Sequence, residues 1–206
     1  MQTHKTQALL FDLGGVVIDI DFDRAFKQWQ PLSRLSLDEL RQAFKFDAPY
    51  QQHERGAITA SEYFAHLCVA LELQDDHVRI EEGWNAIYVG EIVETRSMVH
   101  AVRAQFPCYA LTNTNATHQA AWSAMFPMVV QSFDRVFASH EIGCRKPERQ
   151  AFEYVAHSLG LSLGAIMFFD DCLENVEGAA SAGLHAIHVR GPGDVRSALQ
   201  TLGVAL

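Results

Sequence analysis

The chain has 206 residues, 49% of them hydrophobic, and its 16 basic and 25 acidic side chains give a net charge of −9. That length supports one substantial core with a small appended domain, and an acidic balance without a Lys/Arg cluster excludes a track for a nucleic-acid backbone. No run reaches the apolar length of a membrane span and Met1 to Gln7 is too short and polar for a signal peptide, so a cytoplasmic monomer without membrane contact is expected.

The first apolar run, Ala8 to Val17, reads Ala-Leu-Leu-Phe-Asp-Leu-Gly-Gly-Val-Val. Leu9 to Phe11 is too continuous to alternate faces, as in a strand buried on both sides of a parallel sheet. Ligands of open parallel sheets bind beyond the carboxyl ends of the strands, which puts Asp12 at the mouth of a site as nucleophile, metal ligand or loop cap. Gly14 and Gly15 let backbone approach a bound group. Val16 to Phe22, interrupted by Asp19 and Asp21, suits a flap leading out of the core. From Phe22 to about Tyr88 the pattern is helical, with one stripe at Leu35, Leu37, Leu40, Phe44 and Phe46 and another at Tyr63, Phe64, Leu67, Leu71 and Leu73. Ser36 and Glu39 form a capping box, and Thr59 or Ser61 starts the next helix. Between the stripes, Gln51 to Ile58 reads as a polar loop closed by Gly56. Trp84 and Tyr88 read as packing. Residues 18–88 are thus an inserted all-helical cap, and 1–17 with 89–206 the core.

Within that core, Glu94 to Phe106 reads as a helix ended by Pro107, and Tyr109 to Leu111 as the second strand. Asn115 begins a helix through Met125, and Val136 to Ala138 is the third strand. Pro147 opens a helix that runs to Leu159 and stops at Gly160. Ile166 to Phe169 is the fourth strand, Val176 to Ala182 a helix ended by Gly183, Ala186 to Val189 the fifth strand and Val195 to Leu202 the closing helix. This alternation predicts an α/β fold with a doubly wound parallel sheet. Cys68, Cys108, Cys144 and Cys172 have no metal-site spacing and read as reduced thiols. His185 and His188, three apart on a strand, point to opposite faces and make poor co-ligands.

Four strand ends carry polar groups in a fixed order: Phe-Asp-Leu-Gly at Asp12, Leu-Thr-Asn at Thr112 and Asn113, Arg-Lys-Pro-Glu at Lys146, and Phe-Phe-Asp-Asp at Asp170 and Asp171. Adjacent carboxylates such as Asp170 and Asp171 repel each other unless a cation binds beside them. A carboxylate, a hydroxyl, an ammonium and two more carboxylates in that order resemble the haloacid dehalogenase-like (HAD) hydrolase superfamily over nearly the whole chain. Within it the motifs are most similar to small capped phosphatases acting on sugar phosphates such as glucose 1-phosphate.

The resemblance implies a Rossmann-like core with an inserted cap and a phosphatase of a small phosphorylated metabolite. Asp12 would form an aspartyl phosphate. Mg²⁺ would be held by Asp12, the Gly14 carbonyl, Asp170 and Asp171, a set of hard oxygen donors, with Asp171 as direct ligand and Asp170 as second ligand or anchor. Lys146 would keep the nucleophile ionised and compensate charge on the phosphoryl group. Thr112 by its hydroxyl and Asn113 by its backbone N–H would bind phosphate, although Leu-Thr-Asn could equally cap the next helix. In the 51–58 segment, Arg55 would clamp the substrate and His53 and Glu54 would bond sugar hydroxyls; a solvated helix connection is the bland alternative.

One position departs from the family pattern. Most of its phosphatases carry a second aspartate two residues after the nucleophile, as acid and base; here that position is Gly14. Either His53, Glu54, Asp21 or His118 substitutes, or the leaving group is acidic enough to need no proton, as in sugar 1-phosphates and aryl phosphates. Two other readings stay open: a 2-haloacid dehalogenase using the same aspartate, and a catalytically weak phosphometabolite-binding protein.

Overall fold

Leu9, Leu10 and Phe11 are completely buried, and their strand is central to the sheet in this computed structural model, which describes residues 5–74 and 77–204. Residues 1–4 of the polar N-terminal stretch lie outside that description, as do 75, 76, 205 and 206. The chain runs through β1 (Ala8–Phe11), β2 (Ile18–Ile20), α1 (Phe22–Trp29), α2 (Leu37–Ala43), α3 (Ala48–Glu54), α4 (Ala60–Ala70) and α5 (His77–Asn85). It continues with β3 (Tyr88–Glu91), α6 (Val93–Val102), β4 (Cys108–Thr112), α7 (Ala116–Met125), α8 (Pro127–Gln131), β5 (Arg135–Ala138) and α9 (Ser139–Ile142). It closes with α10 (Arg149–Leu159), β6 (Ile166–Asp170), α11 (Leu173–Ala182), β7 (His185–His188) and α12 (Pro192–Thr201).

Five strands form one sheet in the order β5-β4-β1-β6-β7, with every neighbouring pair parallel. Alternation along β1 divides the core. Leu9 and Phe11 join one apolar cluster with Met98, Val99 and Val102 of α6 and Leu199 of α12. Leu10 joins a second with Phe152 and Val155 of α10 and Ala179 of α11. Helices therefore cover both faces, as a sheet without a polar face requires. The chain winds outward from β1 to β4 and β5, then crosses back to β6 and β7. The reversal lies between β1 and β6, and a crevice opens beyond the carboxyl ends of strands at such a point. Phe11 pairs in register with Phe169, so Asp12 emerges beside Asp170.

The helical segment is held by buried aromatic rings. Trp29 and Trp84 are fully buried and stacked with centroids 6.3 Å apart at 10°, and Trp29 Nε1 donates to the Ile80 carbonyl at 3.0 Å. Each such ring contributes about 1.5–3 kcal/mol by leaving water. The expected capping box of Ser36 with Glu39 forms before α2, and of the two candidate starts for α4 it is Thr59 that caps the helix, boxed with Glu62.

Four local expectations are corrected. Residues 18–88 are not all helical, because the expected flap is a two-stranded antiparallel ribbon, β2 with β3, irregular at Asp19 and Ile20; its three-residue first strand is too short to show a period. The 51–58 segment is helical as far as Glu54, because Asp47 accepts from the Tyr50 N–H at 3.1 Å and Pro49 sits in the first turn of α3. Pro147 precedes α10, whose N-cap is Glu148. Helix α6 stops at Val102, short of Phe106.

Candidate active site

Asp12 is held at the end of β1 by its own neighbours. Its N–H donates to the Phe169 carbonyl at 2.8 Å, and its Oδ1 accepts the Leu13 N–H at 2.7 Å and the Lys146 ammonium at 2.9 Å. The same ammonium donates to Asp170 Oδ2 at 2.6 Å, and Lys146 has no exposed surface. Burial pulls the Lys146 pKa down, but the two carboxylates more than offset it and leave the ammonium above its ordinary range. One buried cation thus bridges two strand ends.

Asn113 fixes that lysine through its backbone. Its Nδ2 donates to the Lys146 carbonyl and its Oδ1 accepts the Lys146 N–H, both at 2.9 Å. Sequence reasoning reserved the backbone N–H of Asn113 for phosphate and missed this side-chain task. Asn175 plays a similar part: its amide donates to both oxygens of Asp170 at 3.1 and 3.2 Å, and the Cys172 N–H adds a bond of 2.8 Å. A buried Ser139 joins the ends of β4 and β5, accepting from the Thr114 N–H at 2.8 Å and donating to the Thr114 carbonyl at 2.9 Å.

Asp12, Asp170 and Asp171 each place a carboxylate oxygen within 4.8 Å of the others. Three carboxylates share one ammonium, so negative charge is left over. Burial, opposed by Lys146 and reinforced by Asp170 and Asp171, raises Asp12 to about 7. Burial and then the Asp170 charge raise Asp171. Gly15, at φ 70°, lies directly under Asp171: a Cβ there would come within 2.1 Å of Asp171 Oδ2. An all-oxygen donor set short of positive charge fits a hard divalent cation such as Mg²⁺.

Beside these groups a cavity of about 440 Å³, open solvent at its mouth included, is lined by Gly14, Thr112 and Asn113 on the sheet side and by Ile20, Phe22, Tyr50, Ile87, Tyr88 and Trp122 around it. Tyr88, expected only to pack, is part of this wall. Ile20, Phe22 and Tyr50 were missed as wall residues; no short motif marks them.

His53, Glu54 and Arg55 do not line the cavity. His53 is buried and stacked on Tyr63 at 4.7 Å and 14°. Glu54 accepts from Arg145 Nε at 2.7 Å, and Arg55 pairs with Glu148. The two charges expected to grip a substrate therefore tie α3 to the Lys146 loop. Of the other groups considered for the missing acid, Asp21 caps α1 by accepting the Asp23 N–H at 2.9 Å. His118 reaches the cavity but is spent: Nε2 donates to the Trp84 carbonyl at 2.9 Å, and Nδ1 faces the Asn115 amide at 3.2 Å. Its burial pushes the imidazole down to about 3. All four cysteines are free thiols.

The chain is similar to several known proteins. The chain is similar to Phosphatase MT3486 of Mycobacterium tuberculosis, 28% identical over 97% of this chain and 96% of the relative. It is similar to the D-ribitol-5-phosphate phosphatase of Bacteroides thetaiotaomicron at 21% identity over 94% and 97%. A solved structure of a HAD-family enzyme from Bacteroides thetaiotaomicron, in complex with magnesium and inorganic phosphate, matches with TM-score 0.79 at 25% identity, covering 90% of this chain and 94% of that one. The model of the haloacid dehalogenase-like hydrolases matches residues 6–183, and the chain belongs to that family.

Proposed function

We propose that the protein is a Mg²⁺-dependent phosphatase that cleaves a small phosphomonoester through phosphorylation of Asp12. The observation that carries this reading is the Lys146 ammonium, without exposed surface, at 2.9 Å from Asp12 and 2.6 Å from Asp170. Both hydrogen bonds to Asp12 fall on Oδ1, which leaves Oδ2 to attack phosphorus. Lys146 opposes the rise that burial imposes on the Asp12 pKa and offsets charge on the transferring group. The Thr112 hydroxyl and the Asn113 N–H receive phosphoryl oxygens beyond β4. The cation, held by Asp12, Asp171 and the Gly14 carbonyl with Asp170 as anchor, supplies further charge neutralisation when bound. Asp170 suits the anchoring part because Lys146, Asn175 and the Cys172 N–H already engage its oxygens. Water then attacks the aspartyl phosphate and releases inorganic phosphate.

The helices of residues 18–88 act as a cap over this site and choose the substrate. Among the described residues no helix is long and apolar enough to cross a membrane, in keeping with a cytoplasmic enzyme. The relatives' names point to phosphorylated metabolites, and the sequence favours an ester whose leaving hydroxyl is more acidic than a simple alcohol's, a class that holds sugar 1-phosphates such as glucose 1-phosphate and aryl phosphates alike. What supports a leaving hydroxyl of that acidity is the bare Gly14 position.

Phosphate release from a panel of phosphomonoesters tests the reading. Wild type with Mg²⁺ should release phosphate, chelation should stop it, Asp12→Asn should abolish it, and 2-chloropropionate should yield no chloride. Chloride release, or phosphate release that survives Asp12→Asn, would overturn it.

A further inference from the structure

A Cβ on Gly14 would lie 3.1 Å from Ile20 Cδ1 and 3.9 Å from Ile20 Cγ1. The space into which a side chain at 14 would project is therefore filled by an aliphatic group from β2. The absence of a carboxylate at this position is built into the packing of the flap, since Ile20 pairs with Tyr88 of β3.

Apolar and aromatic side chains, Ile20, Phe22, Tyr50, Ile87, Tyr88 and Trp122, make up most of the remaining wall; Thr112, Asn113, Thr114 and His118 are its polar members, and among the described residues no ionised side chain lines the cavity. Its polar atoms are largely committed elsewhere. The Tyr50 hydroxyl neighbours the Glu54 carboxylate, Trp122 Nε1 donates to Thr114 Oγ1 at 3.4 Å, and both nitrogens of His118 are engaged. A sugar placed here would exchange its hydration for apolar contacts and leave hydroxyls unpaired, at about 1–3 kcal/mol for each buried group. A flat apolar ring would instead meet aromatic edges and faces, each such pair favourable by about 0.5–1.5 kcal/mol.

Resting on the phosphatase reading above, we infer that the substrate class of this site is the monophosphate of a phenol-type hydroxyl, an aromatic ring carrying the ester oxygen directly. The wall selects the ring, and the missing acid selects the leaving group. Asp12 forms its bond to phosphorus as the aryl oxygen–phosphorus bond breaks. The phenolate departs with the electron pair and takes its proton from water. An alkyl alcohol departs far less readily without a positioned acid, whose loss costs about 10²–10⁴ in rate.

Steady-state kinetics of the full-length enzyme with Mg²⁺ on phenyl phosphate, benzyl phosphate, glucose 1-phosphate and glucose 6-phosphate separate the two selections. Phenyl phosphate should exceed benzyl phosphate in kcat by about 10² or more, and both aromatic esters should show KM values below those of both sugar phosphates. A sugar phosphate matching phenyl phosphate in kcat/KM would overturn the substrate class while leaving the phosphatase reading intact. Release from none of the four would overturn both. The double variant Gly14→Asp with Ile20→Ala puts a carboxyl where the isoleucine lies, and it should narrow the phenyl-to-benzyl ratio in kcat at least tenfold. An unchanged ratio in the folded variant would contradict the place given to Ile20.

Discussion

At the sheet edge Asp12, Lys146, Asp170 and Asp171 crowd together, three acids and one base, with amide side chains of Asn113 and Asn175 holding two of them from behind. Against them stands a wall of Ile20, Phe22, Tyr50, Ile87, Tyr88 and Trp122 that carries no charge. Asp12, Asp170 and Asp171 stand at the carboxyl ends of the neighbouring parallel strands β1 and β6, where register fixes their spacing, and Lys146 reaches them from the segment between α9 and α10. The wall comes from the two-stranded ribbon, α1, α3 and α7 with the segments beside them. The comparison teaches that phosphorus chemistry and substrate choice are assigned to different parts of the chain, so each can be altered with a separate signature.

The largest effect should come from the charged side. Asp12→Asn removes the attacking oxygen and should lower kcat for phenyl phosphate by four or more orders of magnitude with KM little changed. Lys146→Met should do comparable damage and also unfold more readily. It leaves the buried Asp12 and Asp170 carboxylates without their common cation, a loss of about 3–5 kcal/mol that urea denaturation would read. A Lys146→Met protein as stable as wild type would break the contrast between an edge held by ion pairs and a wall held by packing.

Asn113 sharpens it further. It touches Lys146 only through the backbone, so Asn113→Ala should cost about 1 kcal/mol for each of two hydrogen bonds. It should also lower kcat more than it raises KM, as expected of a positioning residue. A change confined to KM would assign Asn113 to substrate instead.

Acid sensitivity belongs to the wall. His118 is buried neutral with its pKa pushed to about 3, whereas in the unfolded chain it titrates near 6.5. Below that value the unfolded state binds a proton that the folded state refuses. Stability from this group is therefore full above about pH 6.5, falls by about 2 kcal/mol at pH 5 and goes on falling toward pH 3. His118→Phe should flatten the denaturation midpoint between pH 5 and 7; an unchanged slope would remove His118 from the account. The smallest effect is expected from Arg55→Ala, which breaks the pair with Glu148. It should cost under about 1 kcal/mol and leave KM for phosphate esters unaltered, where a substrate clamp would raise KM.

Legibility in the sequence followed the range of the interactions. β1 could be read because Leu9, Leu10 and Phe11 are apolar without alternation, Asp12, Asp170 and Asp171 because they stand at or directly after a strand's end, and Lys146 because it sits in the Arg-Lys-Pro-Glu run. The capping box at Ser36 spans three residues and is equally plain, whereas the sequence allows α4 to start at Thr59 or Ser61 and the structure selects Thr59. The partners of Glu54 and Arg55 lie 91 and 93 residues away, and no local pattern announces them. The same holds for Ile20, whose part in the site comes from the turn of the chain that returns it to Gly14. Asn113 was noticed as a residue but not for its side chain, since a strand-end amide gives no sign of which backbone it will grip.

The central claim is that a carboxylate oxygen of Asp12 becomes phosphorylated. Rapid quenching of enzyme mixed with Mg²⁺ and phenyl phosphate, followed by borohydride reduction and peptide mapping, tests it most directly, because reduction converts an aspartyl phosphate to homoserine. Homoserine at position 12, and at neither 170 nor 171, is the result expected. Its appearance at either of those positions, or at none while phosphate is being released, would contradict the account.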